Sequence, residues 1–299
     1  MKINTWIKTH CTSLKNKNIV LTGSTSGLGY QTLKVLCELE ANIIVGVRNT
    51  KKAEEQKQEL LKLFPNATIT VYKLDLSSVA SIKNFAGKIK FLFADGIDVL
   101  INNAGVFTKT RKILENGHEQ HFFINCIAPL LLTKLLKSHL KEKLSSRVVF
   151  LGSISCNFSE IDFNDQDFRN HKNELRPYSN SKRWLTFAVF KLKEEFAKEN
   201  IGVNLIHPGI SSTSLFLNSR FKKLQPVLKL IFTKPKKACL NEIAGIFWNT
   251  KNREWIGPNI FDIWGMPKTS KLKIKHFNEE EMSKCYEILM QITDEYAKM

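Results

Sequence analysis

Two side chains of complementary acid–base character stand four residues apart near the middle of the chain. Tyr178 is the first and Lys182 the last residue of the run Tyr-Ser-Asn-Ser-Lys, and residues four apart share one face of a helix. A phenol with a pKa of about 10 is a poor catalyst at neutral pH, but a neighbouring ammonium stabilises the phenolate and lowers that pKa. The pair therefore predicts proton transfer by Tyr178. The spacing alone is weak evidence, because it arises by chance in a lysine-rich chain.

A second motif predicts a site for a dinucleotide. Residues 22–29 read Thr-Gly-Ser-Thr-Ser-Gly-Leu-Gly and lie between a predicted strand and a predicted helix. Glycines there allow a tight bend and let a pyrophosphate approach the helix N-terminus, where free N–H groups favour negative charge. The motif is specific only in this strand–turn–helix setting. The residues expected to bind the cofactor are Gly23, Thr25, Ser26, Gly27, Leu28 and Gly29.

The end of the second predicted strand bears on which nicotinamide cofactor is bound. An acidic residue there would accept hydrogen bonds from the ribose 2′-hydroxyl of NAD. This strand ends instead on Arg48 and Asn49, with Lys51 and Lys52 close behind, and a guanidinium matches a 2′-phosphate. The sequence therefore favours NADP over NAD, with an ordinary surface arginine as the alternative.

Further cofactor contacts are expected after the third and fourth strands. Asp75 is placed to accept from the adenine amino group, although a helix cap is the competing interpretation. Residues 102–105 read Asn-Asn-Ala-Gly, and small side chains there would let the adenine-side ribose pass closely. The expected contacts are Asp75, Leu76, Asn103, Ala104 and Gly105.

Alternating short apolar and longer amphipathic runs must position these motifs. Strands are predicted at 18–22, 42–47, 68–74, 97–102, 147–151 and 202–206, and helices at 28–39, 51–63, after Ser77, and at 118–140, 178–199, 238–248 and 277–299. This rhythm predicts one α/β domain over 1–299, a single Rossmann-type doubly wound parallel sheet with helices on both faces. Its strand C-termini form one ligand-binding edge. Pro129 is expected to kink the helix at 118–140.

Two segments lie outside this alternation. Residues 211–237 mix apolar side chains with many lysines and are expected to form a substrate lid, consistent with a lipophilic aldehyde, ketone, steroid or retinoid. Packing of the same side chains onto the core is the equal alternative. Residues 255–299 are expected to be a C-terminal extension that starts with a closing loop at 255–267 and ends in a surface helix.

Composition excludes several classes of protein. The net charge is +17, but the lysines are spread along the whole chain and no arginine-rich arm occurs, which disfavours nucleic-acid binding. The six cysteines show no metal-ligand spacing, so reduced thiols and no metal site are expected. The chain lacks a signal-peptide core and an apolar span of membrane length. We expect a cytoplasmic monomer or homo-oligomer, whose basic lid permits peripheral contact with an intracellular membrane.

Taken together, the motifs resemble the short-chain dehydrogenase/reductase family over roughly residues 15–250. The matching elements are residues 22–29, residues 102–105, Asn125, Ser153, Tyr178, Lys182 and residues 207–209. The resemblance implies hydride transfer between a nicotinamide cofactor and a carbonyl or alcohol carbon.

The same resemblance implies a role for each matched residue. Tyr178 would be the general acid or base, Ser153 would hold the substrate oxygen, and Lys182 would tune Tyr178 and bind the cofactor ribose. Asn125 would support a proton-relay water. The nicotinamide would be lined by Pro208, Gly209 and Thr213. Ser155 replaces Ser153 in these roles if the predicted strand is shifted by two residues.

The closest likeness is to the retinol dehydrogenase and carbonyl reductase branch, through residues 48–49, the run 121–125 and the long loop 153–178. Three positions depart from the usual pattern: Gly152 replaces a common serine, Cys126 follows Asn125, and Ala128 replaces a frequent glycine. None of them removes a catalytic group. We therefore expect an NADP-dependent enzyme that reduces a small lipophilic carbonyl compound.

Two other functions stay open. One is a catalytically silent nucleotide sensor on the same fold, which the complete set Asn125, Ser153, Tyr178 and Lys182 disfavours. The other is a membrane-surface or nucleic-acid binding module that uses the positive charge, and salt-dependent binding unaffected by cofactor would identify it.

Overall fold

A computed structural model describes residues 2–108, 110–143, 145–168, 176–209 and 234–299. Their strands are β1 (Asn18–Thr22), β2 (Asn42–Val47), β3 (Thr68–Lys73), β4 (Val99–Asn102), β5 (Ser146–Leu151), β6 (Ile201–Ile206), β7 (Glu254–Ile260) and β8 (Trp264–Lys271). The helices are α1 (Ile3–His10), α2 (Gly27–Glu38), α3 (Thr50–Leu63), α4 (Val79–Leu92), α5 (Gln120–Phe122), α6 (Ala128–Lys141), α7 (Arg176–Ala197), α8 (Pro235–Phe247) and α9 (Glu279–Lys298). A π-helical turn at Phe123–Ile127 and a 3₁₀ helix at Ile154–Phe158 complete the described elements.

The strands form one sheet in the order β3-β2-β1-β4-β5-β6-β7-β8. Pairings from β3 to β7 are parallel, and β8 pairs with β7 in the antiparallel direction. The predicted doubly wound α/β sheet is confirmed, with one antiparallel strand at its edge. The strand order reverses between β1 and β4, and ligands bind beyond the carboxyl ends of strands at such a point.

The closing loop predicted at 255–267 is wrong, because these residues form the hairpin of β7 and β8. Trp255 and Ile256 are fully buried, and Ile256 pairs with Ile206 of β6. Pro258 and Pro267 are unusual in a hairpin because proline cannot donate to a sheet ladder. They face each other across the hairpin. They are tolerated because β8 is an edge strand and the pairing of β7 with β6 ends at Ile256.

Side chains of the sheet alternate between two cores. On β1, Val20 joins a cluster that contains side chains of α4, α6, α7 and α9. Its neighbours Ile19 and Leu21 join the opposite cluster, which contains side chains of α1, α2 and α8. Each buried aliphatic side chain stabilises the fold by roughly 1.5–3 kcal/mol. The two apolar layers hold the strand ends, and the loops after them, in fixed positions.

Several helices differ from expectation. Helix α1 was not predicted; its Trp6 is buried and lies 5.9 Å from the ring of Trp248. The tail helix α9 is not only a surface helix, because Met282, Cys285 and Leu289 are fully buried against α6 and α7. The predicted lid lies largely outside the described residues, and its last three positions, 235–237, belong to α8.

The helix predicted at 118–140 is interrupted where the kink was expected. Helix α5 passes through a π-helical turn into α6, and the Ala128 N–H donates to the Phe123 carbonyl, five residues back. Pro129, at the start of α6, has no N–H with which to close the usual hydrogen bond to the Asn125 carbonyl. The wider turn accommodates that missing donor. Along the described chain, no helix has both the length and the apolar character to cross a membrane.

Candidate active site

The glycine-rich turn joins the carboxyl end of β1 to the start of α2. Gly23 has a positive φ of +73° and donates its N–H to the Gly46 carbonyl. A Cβ on Gly29 would lie 2.2 Å from the Gly23 carbonyl oxygen, so the first turn of α2 packs directly on the loop backbone. Ser26 caps α2 without a side-chain hydrogen bond, which leaves the N–H groups of the first turn available. This cradle suits a pyrophosphate.

The loop after β4 braces the same turn. The Asn103 side-chain amide donates to the Thr22 and Gly23 carbonyls over 2.7 and 2.8 Å. The Ala104 N–H donates to the Thr22 hydroxyl over 3.0 Å. The amide nitrogen of Asn103 therefore holds the turn, while Ala104 and Gly105 carry the backbone past it. Thr25 is tied from the other side, because Gln56 donates to its carbonyl.

The residues expected near the adenine and its ribose lie at the ends of β2 and β3. Arg48 directly follows β2, and its side chain is exposed. Burial raises the pKa of Asp75, but hydrogen bonds from Ser77 and the positive charges of Arg48 and Lys73 outweigh it and lower that pKa overall. Asp75 is not the cap of the next helix; that residue is Ser78, whose side chain accepts from the Ser81 N–H.

Helix α7 and the loop after β5 bring the predicted catalytic groups together. The Ser153 and Ser155 hydroxyls lie close enough to the Tyr178 phenol to influence its ionisation. Burial raises the pKa of Tyr178, and these two hydroxyls oppose the rise. The net shift is opposite to the lowering expected from the neighbouring Lys182, because burial outweighs the effects that favour the phenolate. Ser153 caps the 3₁₀ helix, and its Oγ accepts from the Ser155 N–H over 3.2 Å and from the Ser155 hydroxyl over 2.9 Å. Both serines thus face Tyr178.

Lys182 lies beneath the phenol, one helical turn after it. Its side chain is buried, and Nζ donates to the Leu151 carbonyl over 2.7 Å at the end of β5. Nζ lies 5.9 Å from the centroid of the Tyr178 ring. Burial lowers the pKa of Lys182 to about 8, with Cys126 opposing the shift. The ammonium is therefore held in place by backbone and stays charged below that pH.

Asn125 lies in the π-helical turn, and its side chain forms hydrogen bonds with the loop after β4. Its Oδ1 accepts from the Val106 N–H over 2.8 Å, and its Nδ2 donates to the Val106 carbonyl over 2.9 Å. Nδ2 also lies 3.3 Å from the Ser181 hydroxyl, which donates to the Tyr178 carbonyl. Asn125 therefore links this loop to α7.

A group around Phe107 was missed by the sequence analysis. The Phe107 ring packs edge-on against Tyr178, with centroids 5.0 Å apart. His121 accepts from the Thr108 N–H through Nε2 over 3.0 Å, and its Nδ1 lies 2.7 Å from a Glu119 carboxylate oxygen. This pair anchors the loop that carries Phe107. The run 121–125 was noted for its likeness to relatives, but no sequence signal marks Phe107.

The segment after β6 closes the site on its far side. His207 is stacked on Trp255 at 4.9 Å, and its Nε2 lies 2.9 Å from the Asp262 carbonyl. Burial lowers the pKa of His207 to about 4, so the ring is neutral. Pro208 and Gly209 follow directly, and Gly209 has a positive φ of +83°. Thr213 lies outside the described residues.

The comparisons with known proteins agree with this architecture. The model of the short chain dehydrogenase family matches residues 17–223. Human retinol dehydrogenase 13 is 32% identical over 204 residues, covering 68% of this chain and 61% of that protein. Short-chain dehydrogenase TIC 32 B, chloroplastic, from Brassica napus is 34% identical over 224 residues, covering 71% of this chain and 69% of that protein. The match thus spans about two thirds of the length of these relatives.

Solved structures show the same fold. A crystal structure of an uncharacterised protein from Mycobacterium paratuberculosis superposes with a TM-score of 0.78 at 23% identity, covering 95% of both chains. A metagenomic short-chain oxidoreductase in complex with NADP has a TM-score of 0.61 at 19% identity, covering 82% of this chain and 96% of that one. The family model spans more than half of the chain, and relatives exceed 30% identity over more than two thirds of it. The chain therefore belongs to the short-chain dehydrogenase family, in a branch like the retinol dehydrogenases, and is an NAD(P)-dependent oxidoreductase.

Proposed function

We propose that the protein uses NADPH to reduce the carbonyl group of a lipophilic aldehyde or ketone, of retinoid or steroid type, to an alcohol. The observation that carries the proposal is the state of Tyr178. Burial raises the pKa of its phenol above the ordinary value, so the proton is present at neutral pH. A protonated phenol beside two serine hydroxyls is suited to donate a proton to a carbonyl oxygen.

The residues act on that oxygen in distinct ways. Ser153 Oγ already accepts two hydrogen bonds from Ser155, so its own hydrogen is free to be donated to the substrate oxygen or to Tyr178. Tyr178 gives its proton to the same oxygen. The Lys182 ammonium, held by the Leu151 carbonyl, stabilises the phenolate that remains. Asn125 keeps α7 and the loop after β4 in register through Val106 and Ser181.

The cofactor fits the turn described above. The packing of Gly29 on Gly23 and the uncapped N-terminus of α2 favour a pyrophosphate there. The nicotinamide, when bound, supplies the hydride. Leu28, Leu76, Ala104 and the residues after β6 would line the path of the whole dinucleotide, with the residues after β6 at its nicotinamide end.

The preference for NADP rests on Arg48. The residue that follows β2 is an arginine with an exposed side chain, and its guanidinium suits a 2′-phosphate. A solved structure of the same fold is in complex with NADP, which is consistent with this choice.

Exposed apolar side chains support a lipophilic substrate. Phe158, at the end of the 3₁₀ helix after β5, is 66% exposed. Phe261, in the turn between β7 and β8, is 86% exposed, and Trp264, the first residue of β8, is 50% exposed. The carboxyl ends of β5 and β7, and the amino end of the antiparallel β8, lie at the edge that carries Tyr178. Such side chains would receive an apolar molecule as it approaches. The predicted lid and its contact with a membrane surface remain part of the proposal.

Turnover is tested by a screen of NADPH consumption over lipophilic aldehydes and ketones. Wild-type protein should consume NADPH with members of this class, and Tyr178→Phe should bind NADPH normally without turnover. Appreciable activity of Tyr178→Phe would mean that another group donates the proton. A wild-type protein that binds NADPH but reduces no carbonyl compound would favour the silent sensor.

Cofactor preference is tested by quenching of protein fluorescence. NADPH should bind at lower concentration than NADH, and Arg48→Asp should reverse that order. Lys62→Asp, the same change of charge near the end of α3, is the matched control and should leave the ratio unchanged. Equal affinities of the wild type for both cofactors would refute the argument from Arg48.

A further inference from the structure

Arg183 directly follows the active-site lysine and is a buried cation that the reaction above does not use. Its side chain is 2% exposed. Nη2 donates to the Lys275 carbonyl over 3.1 Å, and it lies 3.5 Å from the His276 carbonyl and 3.3 Å from a Glu281 carboxylate oxygen. Because a buried charge is costly without partners, this arginine must be compensated by fixed groups. All of these groups lie beyond β8.

The segment 272–276, here called the C-terminal strap, connects β8 to α9. It also contacts the 3₁₀ helix that Ser153 caps. The Asn157 side-chain amide donates to the Lys273 carbonyl over 3.1 Å, and its oxygen accepts from the Lys275 N–H over 2.9 Å. Asn157 therefore binds the strap backbone through both of its polar atoms.

A single residue of the strap joins the two contacts. The N–H of Lys275 binds Asn157, and the carbonyl of Lys275 binds Arg183. The next residue, His276, has a φ of +50°, a left-handed conformation that is unfavourable for a residue other than glycine. The backbone is thus held in an unfavourable shape at the point where it meets α7. Phe277 follows and packs on Phe187 of α7 at 5.9 Å.

We propose that the strap is a positioning element for the catalytic groups, with Arg183 and Asn157 as its positioning residues. Asn157 belongs to the short helix that begins at Ser153, and Arg183 belongs to the helix that carries Tyr178 and Lys182. Because the strap backbone is hydrogen-bonded to both helices, it sets the distance between the Ser153 hydroxyl and the Tyr178 phenol. The proposal rests on the proposed function of that site.

The position of these groups should matter for rate. A misplacement of about 1 Å in a catalytic group costs on the order of 100-fold in turnover. The Ser153 and Ser155 hydroxyls also lower the pKa of Tyr178. If the strap is cut, the phenol loses part of this influence, and its pKa should rise. The cofactor turn lies elsewhere on the sheet edge, so NADPH affinity should not change.

The test compares Arg183→Met, Asn157→Ala and the double variant. Each single variant should lower kcat by about 10- to 100-fold. The basic limb of the pH–rate profile should move to higher pH, while the NADPH Kd stays within about twofold of the wild type. Because both changes break the same link, the double variant should lose no more than the worse single variant. Arg253→Met, whose guanidinium lies over the Phe277 ring just beyond the strap, is the control and should keep the kcat of the wild type.

Two outcomes would overturn the proposal. One is an unchanged kcat and pH profile in both single variants, and the other is a double variant whose losses multiply. If Arg183→Met fails to fold, Asn157→Ala and the conservative Arg183→Lys decide the question, and the lysine should restore part of the rate by keeping the charge.

A readout without turnover separates this proposal from the proposed function. The Tyr178 phenol is titrated by ultraviolet difference absorbance, with Tyr178→Phe in each background as the blank. The pKa should be higher in Arg183→Met and Asn157→Ala than in the wild type, and equal values would overturn the strap. A wild type that reduces no carbonyl compound contradicts the proposed function, while this titration still tests the strap.

Discussion

Replacing Gly29 by alanine tests the cofactor turn, because the structure leaves no room for a methyl group there. A Cβ would lie 2.2 Å from the Gly23 carbonyl oxygen and 2.4 Å from Asn103 Nδ2. Ordinary contacts of a Cβ begin at 3.4 Å, so the loop must move by about 1 Å. Strain of this kind in a packed site costs roughly 1–3 kcal/mol. Because Asn103 also holds Thr22, the movement spreads over the whole turn.

That strain should appear in cofactor affinity. The unbound variant relieves it by shifting the loop, and NADPH must return the loop to its binding shape. Restoring 1–3 kcal/mol of strain corresponds to a Kd for NADPH that is about 5- to 150-fold higher, measured by quenching of protein fluorescence. Gly87→Ala is the matched control, since it lies in α4 with no heavy atom near the new methyl group.

The control should bind NADPH as the wild type does and gain about 1 kcal/mol or less of stability, because alanine is the better helix former. The same helix preference favours alanine at Gly29, so any loss of stability measured for Gly29→Ala is what remains after this gain is subtracted. A folded Gly29→Ala protein that binds NADPH within about twofold of the wild type would refute the reasoning.

Three further changes have defined outcomes. Lys182→Met should abolish turnover, and near neutral pH it should melt at a higher temperature than the wild type, because it removes a buried charge. Between pH 8 and about 10.5 the folded wild type loses the proton of Lys182 while the unfolded chain keeps it, so wild-type stability rises with pH. The difference in melting temperature between the two proteins should therefore close over this range. Glu242→Gln should raise the melting temperature at pH 8 but not at pH 4. Burial raises the pKa of Glu242 to about 7, although the hydrogen bond from Thr32 opposes the rise, and wild-type stability therefore falls as pH increases from about 4.5 to 7. A gain at pH 4 equal to that at pH 8 would contradict this. Pro129→Ala restores an N–H donor that would compete for the Asn125 carbonyl with the proton-relay water expected at Asn125, so it should lower kcat without changing the NADPH Kd. An unchanged kcat would mean that this carbonyl takes no part in proton transfer.

Local patterns predicted most of the frame that carries the site. Short apolar runs marked β1, β2, β4, β5 and β6, because strands buried on both faces read as continuous apolar segments. The edge strand β3 was marked instead by its alternation of apolar and polar residues. Tyr178 and Lys182 follow from helical spacing, and the turn at Gly23 to Gly29 follows from its position between a strand and a helix. Each of these signals lies within a few residues of the feature it marks.

The features that were missed depend on distant parts of the chain. The hairpin of β7 and β8 contains two prolines, which strands tolerate only at the edge of a sheet, and the position of this edge depends on the whole fold. The π-helical turn arises because Pro129 removes one donor, and its width is a property of the packed helix. Ser153 and Ser155 differ by two positions in sequence, and both reach Tyr178 because a 3₁₀ helix turns between them. Contacts of this kind carry no local pattern.

The adjacent cations Lys182 and Arg183 have different roles: the first lies at the proposed catalytic site, and the second binds a segment that supports it. Lys182 is compensated by one backbone carbonyl, and burial lowers its pKa to about 8, close enough to neutral pH for its charge to respond to the phenol. A guanidinium cannot be neutralised by burial, so Arg183 requires a carboxylate and carbonyls from a separate segment. That requirement recruits the strap, which also holds Asn157. Arg183, next to Lys182, therefore links the strap to the proposed catalytic centre. A neutral side chain at position 183 would not form these hydrogen bonds with the strap.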